Sequence, residues 1–335
     1  MIHDKKIIFV SWTSYARHSD LLGQALGGEV YFIEDLIKSR GLIWKMFFIV
    51  DYLSKAIRSL KIISQKRPKY VFVQNPPSVA PVALVLFRRI MGFKLVVDSH
   101  NGAFEEPWIS VPLHKWSLSQ ADLVVVHNRQ ILKNIKDSRQ FENVNFQVLN
   151  SRLPEFPGVP RSEQSHPYIL VISTFASDEP MEELLSGISL FIETHGKGVG
   201  FKITGNYRKS SDLYEKYSGK KGVEFLGYVD EEEYKSILVN AHGIIALSTR
   251  DDVQQFALME AIGAGVPFIS TDNITNRALF NDHMVLTKNI SEDIEKSIDM
   301  FLINRDAYKR NVENIKATQS ERWQKDFDML VNSLS

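Results

Sequence analysis

Residues 248–272 read STRDDVQQFALMEAIGAGVPFISTD. They follow Gly243–Leu247 (GIIAL), an apolar run that predicts a buried strand. Asp251 and Asp252 stand where a helix N-cap belongs. The helix then carries Phe256, Met259 and Ile262 on one face and the small residues Ala257, Ala261 and Ala264 on the other. Gly263 and Gly265 end it, Pro267 follows, and Phe268–Ser270 (FIS) opens the next strand. A helix this thin lets backbone approach a ligand, and its free N–H groups and positive dipole end suit a phosphate. Asp252 and Glu260 are spaced by a little over two helical turns, so both are expected on nearly the same side. That spacing lets one acid meet a nucleotide's sugar hydroxyls and the other a transferred sugar. The opposing reading is an ordinary α/β helix with an Asp cap and a surface Glu.

A chain of 335 residues with 44% hydrophobic and 24% charged residues predicts a soluble two-domain protein. Cysteine is absent, which excludes disulfide frameworks and thiolate chemistry. The N-terminus, MIHDKKIIFVSW, enters a strand at once and lacks a signal-peptide pattern. No uncharged apolar run approaches the roughly 18 residues that span a bilayer. These features predict a cytoplasmic protein. Charge is uneven: residues 1–150 hold 20 Lys and Arg against 12 Asp and Glu, and residues 151–335 hold 20 against 28. A basic half suits an anionic membrane or an anionic substrate; no nucleic-acid-binding motif accompanies it.

Outward from the opening stretch, short apolar runs alternate with amphipathic ones, as in parallel sheets with crossover helices. The first half offers strands at Lys6–Ser11, Glu29–Ile33, Tyr70–Gln74, Lys94–Asp98, Asp122–Val126 and Phe146–Leu149. Residues 151–167 carry four prolines and read as a linker. Strands resume at Tyr168–Ser173, Phe201–Gly205, Val223–Gly227, Gly243–Leu247 and Phe268–Ser270. The expected organisation is one Rossmann-like domain over 1–150, a second over 168–320, and a C-terminal helix over 321–335 that returns to the first domain. Both halves are doubly wound α/β parallel-sheet domains, with a ligand cleft expected at the carboxyl ends of their strands.

Asp98-Ser99-His100-Asn101 closes the fourth strand, a position where active residues sit in open α/β sheets. His100 is suited to a sugar hydroxyl, and Asp98 to orienting it or acting as a base. The loop after the first strand holds Arg17 and His18, suited to a phosphate, and Ser19 reads as a helix cap. The nine histidines show no ligand spacing and there is no D-x-D clamp, so no metal is expected. Arg40–Lys66 mixes Trp44, Phe47, Phe48 and Tyr52 with Lys45, Lys55, Arg58, Lys61 and Lys66, a composition for an interfacial helix or a core helix with a solvated face.

Glu260, Ala261, Gly265 and Pro267 resemble the second half of the E-x7-E signature of retaining GT-B glycosyltransferases of the family 4 type. Asp98-Ser99-His100-Asn101 is similar to the D-x-H-N of the related chitobiosyl mannosyltransferases. The chain departs in having Asp252 for the first Glu and Val253-Gln254-Gln255 for Gly-Phe-Gly. It also has acids at Asp178, Glu179, Glu182 and Glu183 where the family places an Arg and a Lys.

The resemblance implies two facing Rossmann-like domains and transfer, with retention, of a hexose from a nucleotide diphosphate sugar. The acceptor would be a glycan or a polyprenyl-linked glycan, in surface polysaccharide synthesis at the inner face of the membrane, without metal or resident cofactor. It implies catalytic roles for His100, Asp98 and Asp252. The diphosphate would lie on the amides of Val253, Gln254, Gln255 and Phe256 beside Arg250, and Glu260 would hold the ribose. Thr174, Gly205 and the backbone at Tyr228 would complete the donor side. Asn101, Gly102, Arg17 and His18 would meet the acceptor. Two rival functions remain at this stage: a nucleotide-sugar epimerase on the same fold, and a silent subunit that binds glycan or a partner.

Overall fold

Strands buried on both faces need apolar residues at every position. Ile7–Ser11 (β1) and Leu123–Val126 (β5) show this directly, each buried along its whole length. The computed structural model describes residues 6–36, 42–162, 166–196, 198–280 and 283–334, and of 42–46 the backbone alone. The chain forms two compact units, Met1–Arg152 with Trp323–Ser335, and Leu153–Arg322.

In the first unit β1 is followed by α1 (Arg17–Ala25), β2 (Glu29–Phe32), α2 (Leu42–Lys66), β3 (Tyr70–Asn75), α3 (Val79–Met91) and β4 (Lys94–Ser99). Then come α4 (His114–Gln120), β5, α5 (Arg129–Asp137) and β6 (Phe146–Val148). All strand pairs are parallel, in the order β2-β1-β3-β4-β5-β6. Two cores flank this sheet. One packs Val10, Val73, Leu84, Val97 and Val126, and the other packs Phe9, Phe72 and Val125 against Trp323, Leu330 and Leu334.

The second unit runs β7 (Tyr168–Val171), α6 (Met181–His195), β8 (Gly200–Thr204), α7 (Ser211–Tyr217), β9 (Val223–Gly227), α8 (Glu231–Val239) and β10 (Gly243–Ala246). It continues with α9 (Phe256–Ala264), β11 (Phe268–Thr271), α10 (Ile274–Phe280), β12 (Val285–Thr287), α11 (Ser291–Ile303) and the first part of α12 (Arg305–Ser333), whose residues from Trp323 onward belong to the first unit. Its parallel sheet has the order β12-β11-β10-β7-β8-β9, so the winding reverses between β7 and β10. Each unit is thus the doubly wound sheet expected from the alternating pattern.

Local chemistry sets the helix ends. Asn128 caps α5 by accepting from the Ile131 N–H at 2.8 Å, and Asp230 caps α8 from Glu233 at 2.9 Å. Gly265 closes α9 in the left-handed region at φ 66°. Three readings change. Helix α9 begins at Phe256 with Gln255 as its cap, so Asp251 and Asp252 precede it. Helix α1 begins at Arg17, and Ser19 is buried inside it with its Oγ donating to Gln74 Oε1 at 3.1 Å. Lys55 is not a surface cation: it is 2% exposed and paired with Asp51 at 3.0 Å and with Asp35. Arg40 and the side chains of Trp44 and Lys45 lie outside the described residues.

Residues read as linker pack on the second unit. Leu153 is buried in its core, and Phe156 and Val159 lie against it. The packing requires Gly263, where a Cβ would meet the Pro154 carbonyl oxygen at 2.1 Å. Alanine in a helix interior is normally worth about 1 kcal/mol over glycine. Here a backbone atom must move, at a cost of about 1–3 kcal/mol, so Gly263→Ala is expected to lower the urea midpoint rather than raise it.

Buried His114 supplies a second check. Its Nε2 lies 3.1 Å from Asn75 Nδ2, its Nδ1 has no hydrogen-bond partner, and burial with the nearby Lys115 charge pushes its pKa down to about 4. The unfolded chain therefore binds the extra proton between pH 6.5 and 4, and stability falls on acidification through that window. Denaturation at pH 7 and pH 4 is expected to show a smaller loss for His114→Gln, by an amount on the order of 3 kcal/mol.

Candidate functional site

In the second unit the loops after β7 and β10 meet at the point where the winding reverses, the place where open α/β sheets bind ligands. Asp178 ties them together. Its carbonyl accepts from the Thr249 N–H at 2.7 Å, and its carboxylate accepts from Ser248 Oγ at 3.1 Å. Asn289 donates to the Ser248 carbonyl, Asn273 to that of Arg250, and Thr275 Oγ1 to that of Asp251 at 2.7 Å. Gln255 reaches back to the Leu247 carbonyl at 2.9 Å. These side chains satisfy backbone groups in residues 247–251 that a longer helix would have absorbed, which is the physical reason α9 starts late. Asp252 is therefore outside the helix, and helical spacing does not align it with Glu260.

Glu260 sits in the first turns of α9, 7% exposed, and accepts from the Tyr234 hydroxyl at 2.6 Å. Arg250 Nη2 lies 3.3 Å from Asp252 Oδ1, both side chains about one-quarter exposed. The pair is half-buried, and Arg250 also donates its backbone N–H to Ser248 Oγ at 3.2 Å. Val253, Gln254, Gln255 and Phe256 are half-buried, and Gln254 Nε2 contacts Met259 Sδ at 3.0 Å.

The loop after β7 forms a nest of amides, and the chain's own Glu179 fills it. The N–H groups of Thr174 and Ala176 donate to the Glu179 carboxylate at 3.0–3.1 Å, with Thr174 Oγ1 and Ser173 Oγ. Phe175, at φ 54°, turns the backbone into this shape. Lys209 donates to the Thr174 carbonyl at 2.7 Å. Gly205, at φ 101°, is required for packing: a Cβ there would stand 2.0 Å from the Ser173 carbonyl oxygen. A cavity of about 540 Å³ lies beside this loop, lined by Phe175, Ser177, Glu179, Lys209, Thr249 and Asn289. Tyr228, after β9, is 76% exposed.

In the first unit four chemistry-bearing side chains converge at the carboxyl ends of the strands. Asp98 is 0% exposed at the end of β4. His18 Nε2, His100 Nε2 and His127 Nε2 stand 3.5, 3.7 and 3.2 Å from its oxygens. Burial opposes ionisation of Asp98, but His18 and His127 outweigh it and hold its carboxyl well below the usual range. His127 is pushed down to about 3 by burial and by the charges of His18 and His100. Asp98 therefore faces imidazoles and has no exposed surface. His18 turns into this cluster. His100 is one-third exposed, and Asn101 and Gly102 start the short turn that follows it. Arg17 is the first residue of α1.

The structure thus gathers Thr174, Arg250, Asp252 and the start of α9 near one end of the second sheet, and His18, Asp98 and His100 in the first unit. Sequence reading missed His127, Tyr234 and Glu179. His127 carried a legible signal, since it ends the DLVVV strand as His100 follows KLVVD.

Residues 154–318 match the model of the family described as glycosyl transferases group 1. No curated protein sequence matches the chain. Among solved structures the chain is similar to HepE of Anabaena in complex with UDP and glucose, at 12% identity over 98% of this chain and 99% of that one, TM-score 0.71. It is similar to sucrose-phosphate synthase from Thermosynechococcus elongatus, at 12% identity over 98% and 99%, TM-score 0.72. A glycosyltransferase from Rickettsia africae aligns at 13% identity over 99% of both chains, TM-score 0.69. The chain has the GT-B fold, and nearly the whole of its second unit, residues 154–318, matches the glycosyl transferases group 1 model.

Proposed function

We propose that the protein transfers a hexose, with retention, from a nucleotide diphosphate sugar to a glycan or lipid-linked acceptor of surface polysaccharide synthesis. The observation that carries this reading is Glu260, a nearly buried carboxylate held by Tyr234 inside the segment that matches the family. A carboxylate accepts hydrogen bonds from hydroxyls, and ribose hydroxyls are donors of the same kind as the Tyr234 hydroxyl it already binds. On donor binding Arg250 leaves Asp252 for the diphosphate, and Asp252 accepts from the sugar hydroxyls. His100, beside Asn101 and Gly102, meets the acceptor. HepE binds UDP and UDP-glucose, which makes UDP the first nucleotide to try.

Glu179 favours a second reading, a subunit that does not turn over. Its carboxylate occupies amides that would otherwise suit a phosphate. Melting in UDP, GDP, dTDP and ADP separates the two when followed by a turnover assay. Ligand at 100 times its dissociation constant adds about 2.7 kcal/mol. One nucleotide is expected to stabilise the protein and Glu260→Ala to remove the effect, with sugar released from the matching donor only when acceptor is present. Binding without turnover would support the silent subunit, and turnover without acceptor would support an epimerase.

The acceptor side of this reading places the first unit on an anionic membrane surface. Among the described residues no helix is long and apolar enough to cross a membrane. Ile49, Val50, Leu53 and Ile57 of α2 and Leu86 and Ile90 of α3 are more than half exposed, with Arg58, Lys61 and Arg89 exposed on the same two helices. Flotation with phosphatidylserine vesicles is expected to carry the protein in low salt. Leu53→Ser with Ile57→Ser and Ile90→Ser is expected to weaken the binding about tenfold or more; equal binding by the variant would remove α2 and α3 from the docking surface.

A further inference from the structure

The first unit's histidine cluster has a geometry that sugar transfer does not explain. His18 enters from α1, Asp98 from the end of β4, His100 from the residue after β4, and His127 from the residue after β5. One ligand-type atom from each lies within 4.8 Å of the other three. Asp98, His127 and His18 are 0%, 7% and 9% exposed. The Nε2 atoms of all three histidines and both oxygens of Asp98 are buried without a hydrogen-bond partner. Each such group costs about 1–3 kcal/mol, so leaving a whole set unsatisfied in one place needs a compensating partner.

A hydrogen-bonded network fits poorly. A charged N–H···O bond spans about 2.7–2.9 Å, whereas the imidazole-to-carboxylate separations here are 3.2, 3.5 and 3.7 Å. The first runs to Asp98 Oδ1 and the other two to Oδ2, and one donor atom from each of the four residues lies within 4.8 Å of the rest, a span that one ion can gather. A zinc ion takes nitrogen and oxygen ligands at about 2.0–2.2 Å, which sets tetrahedral edges near 3.3–3.6 Å. The ligand chemistry also selects the ion. Imidazoles suit zinc and its transition-metal neighbours, while calcium and magnesium ask for about six or more oxygen ligands.

We infer that His18, Asp98, His100 and His127 bind one divalent transition-metal ion of the zinc type, in a tetrahedral His3Asp site that joins α1 to the ends of β4 and β5. The proposal holds whether or not the chain transfers sugar. Three of the ligands are nearly buried, and His100 is the solvent-facing fourth. A ligand set contributed from three parts of the sheet edge would lock the loops on which Asn101 and Gly102 are carried.

The test uses the full chain, prepared without a histidine tag and stripped by chelator. Zinc titration followed by gel filtration and elemental analysis is expected to give one ion per chain and a higher melting temperature. Cobalt in its place is expected to give the intense visible absorption of a four-coordinate nitrogen and oxygen site. His127→Gln and His18→Gln remove one nitrogen donor each and are expected to weaken binding about a hundredfold and to abolish the cobalt spectrum. Wild-type protein that is folded yet retains no ion and gives no tetrahedral cobalt spectrum would overturn the proposal. So would a cobalt spectrum left unchanged by folded His127→Gln. If neither variant folds, the wild-type stoichiometry and spectrum decide alone.

Discussion

A carboxylate withdrawn from water dictates the arrangement of the first unit. Asp98 is fully buried at the end of a central strand, where an ion costs several kcal/mol unless its surroundings compensate. Three imidazoles, from residues 18, 100 and 127, surround it. The start of α1, the residue after β4 and the residue after β5 therefore meet at one point. Asn101 and Gly102 inherit their position from it, because the short turn that holds them is capped by His100.

The second unit uses its acids differently. In the resembled family the loop after the first strand of this unit carries basic residues. Here Asp178 joins that loop to residues 248 and 249, Glu179 organises its amides, and Glu182 and Glu183 fall in the first turn of α6, where the helix dipole favours them. The acidic run has a complete structural account, and none of it requires contact with a donor. The cations nearest these loops, Arg250 and Lys209, are engaged by Asp252 and by the Thr174 carbonyl.

The sheets were legible because parallel strands must be apolar along their length, and runs such as IIFV, YVFV, LVVV and GIIA have no other comfortable environment. Strand β12 escaped notice because three residues, Val285–Thr287, make too short a run. The start of α9 was misread because an Asp pair before an apolar run is a good local cap signal, yet Asn273 and Thr275 bind that backbone from another helix. Glu260 was legible from a motif, its partner Tyr234 was not. The histidine cluster was invisible for a different reason. Metal-ligand spacing is a local signal, and here the ligands converge only through the strand order β1-β3-β4-β5.

Formal charge was a weaker guide than it looked. The excess of basic residues over 1–150 suggests a cationic face. Several of those cations are spent inside the unit: Lys55 on Asp51 and Asp35, Lys66 on Glu29 at 2.6 Å, and Arg88 on Asp122 at 2.5 Å. What remains unusual is apolar. Exposed Ile, Leu, Val and Phe side chains on α2 and α3 form the larger departure from an ordinary soluble surface. On the proposed membrane reading, hydrophobic contact comes first, and Arg58, Lys61 and Arg89 steer it.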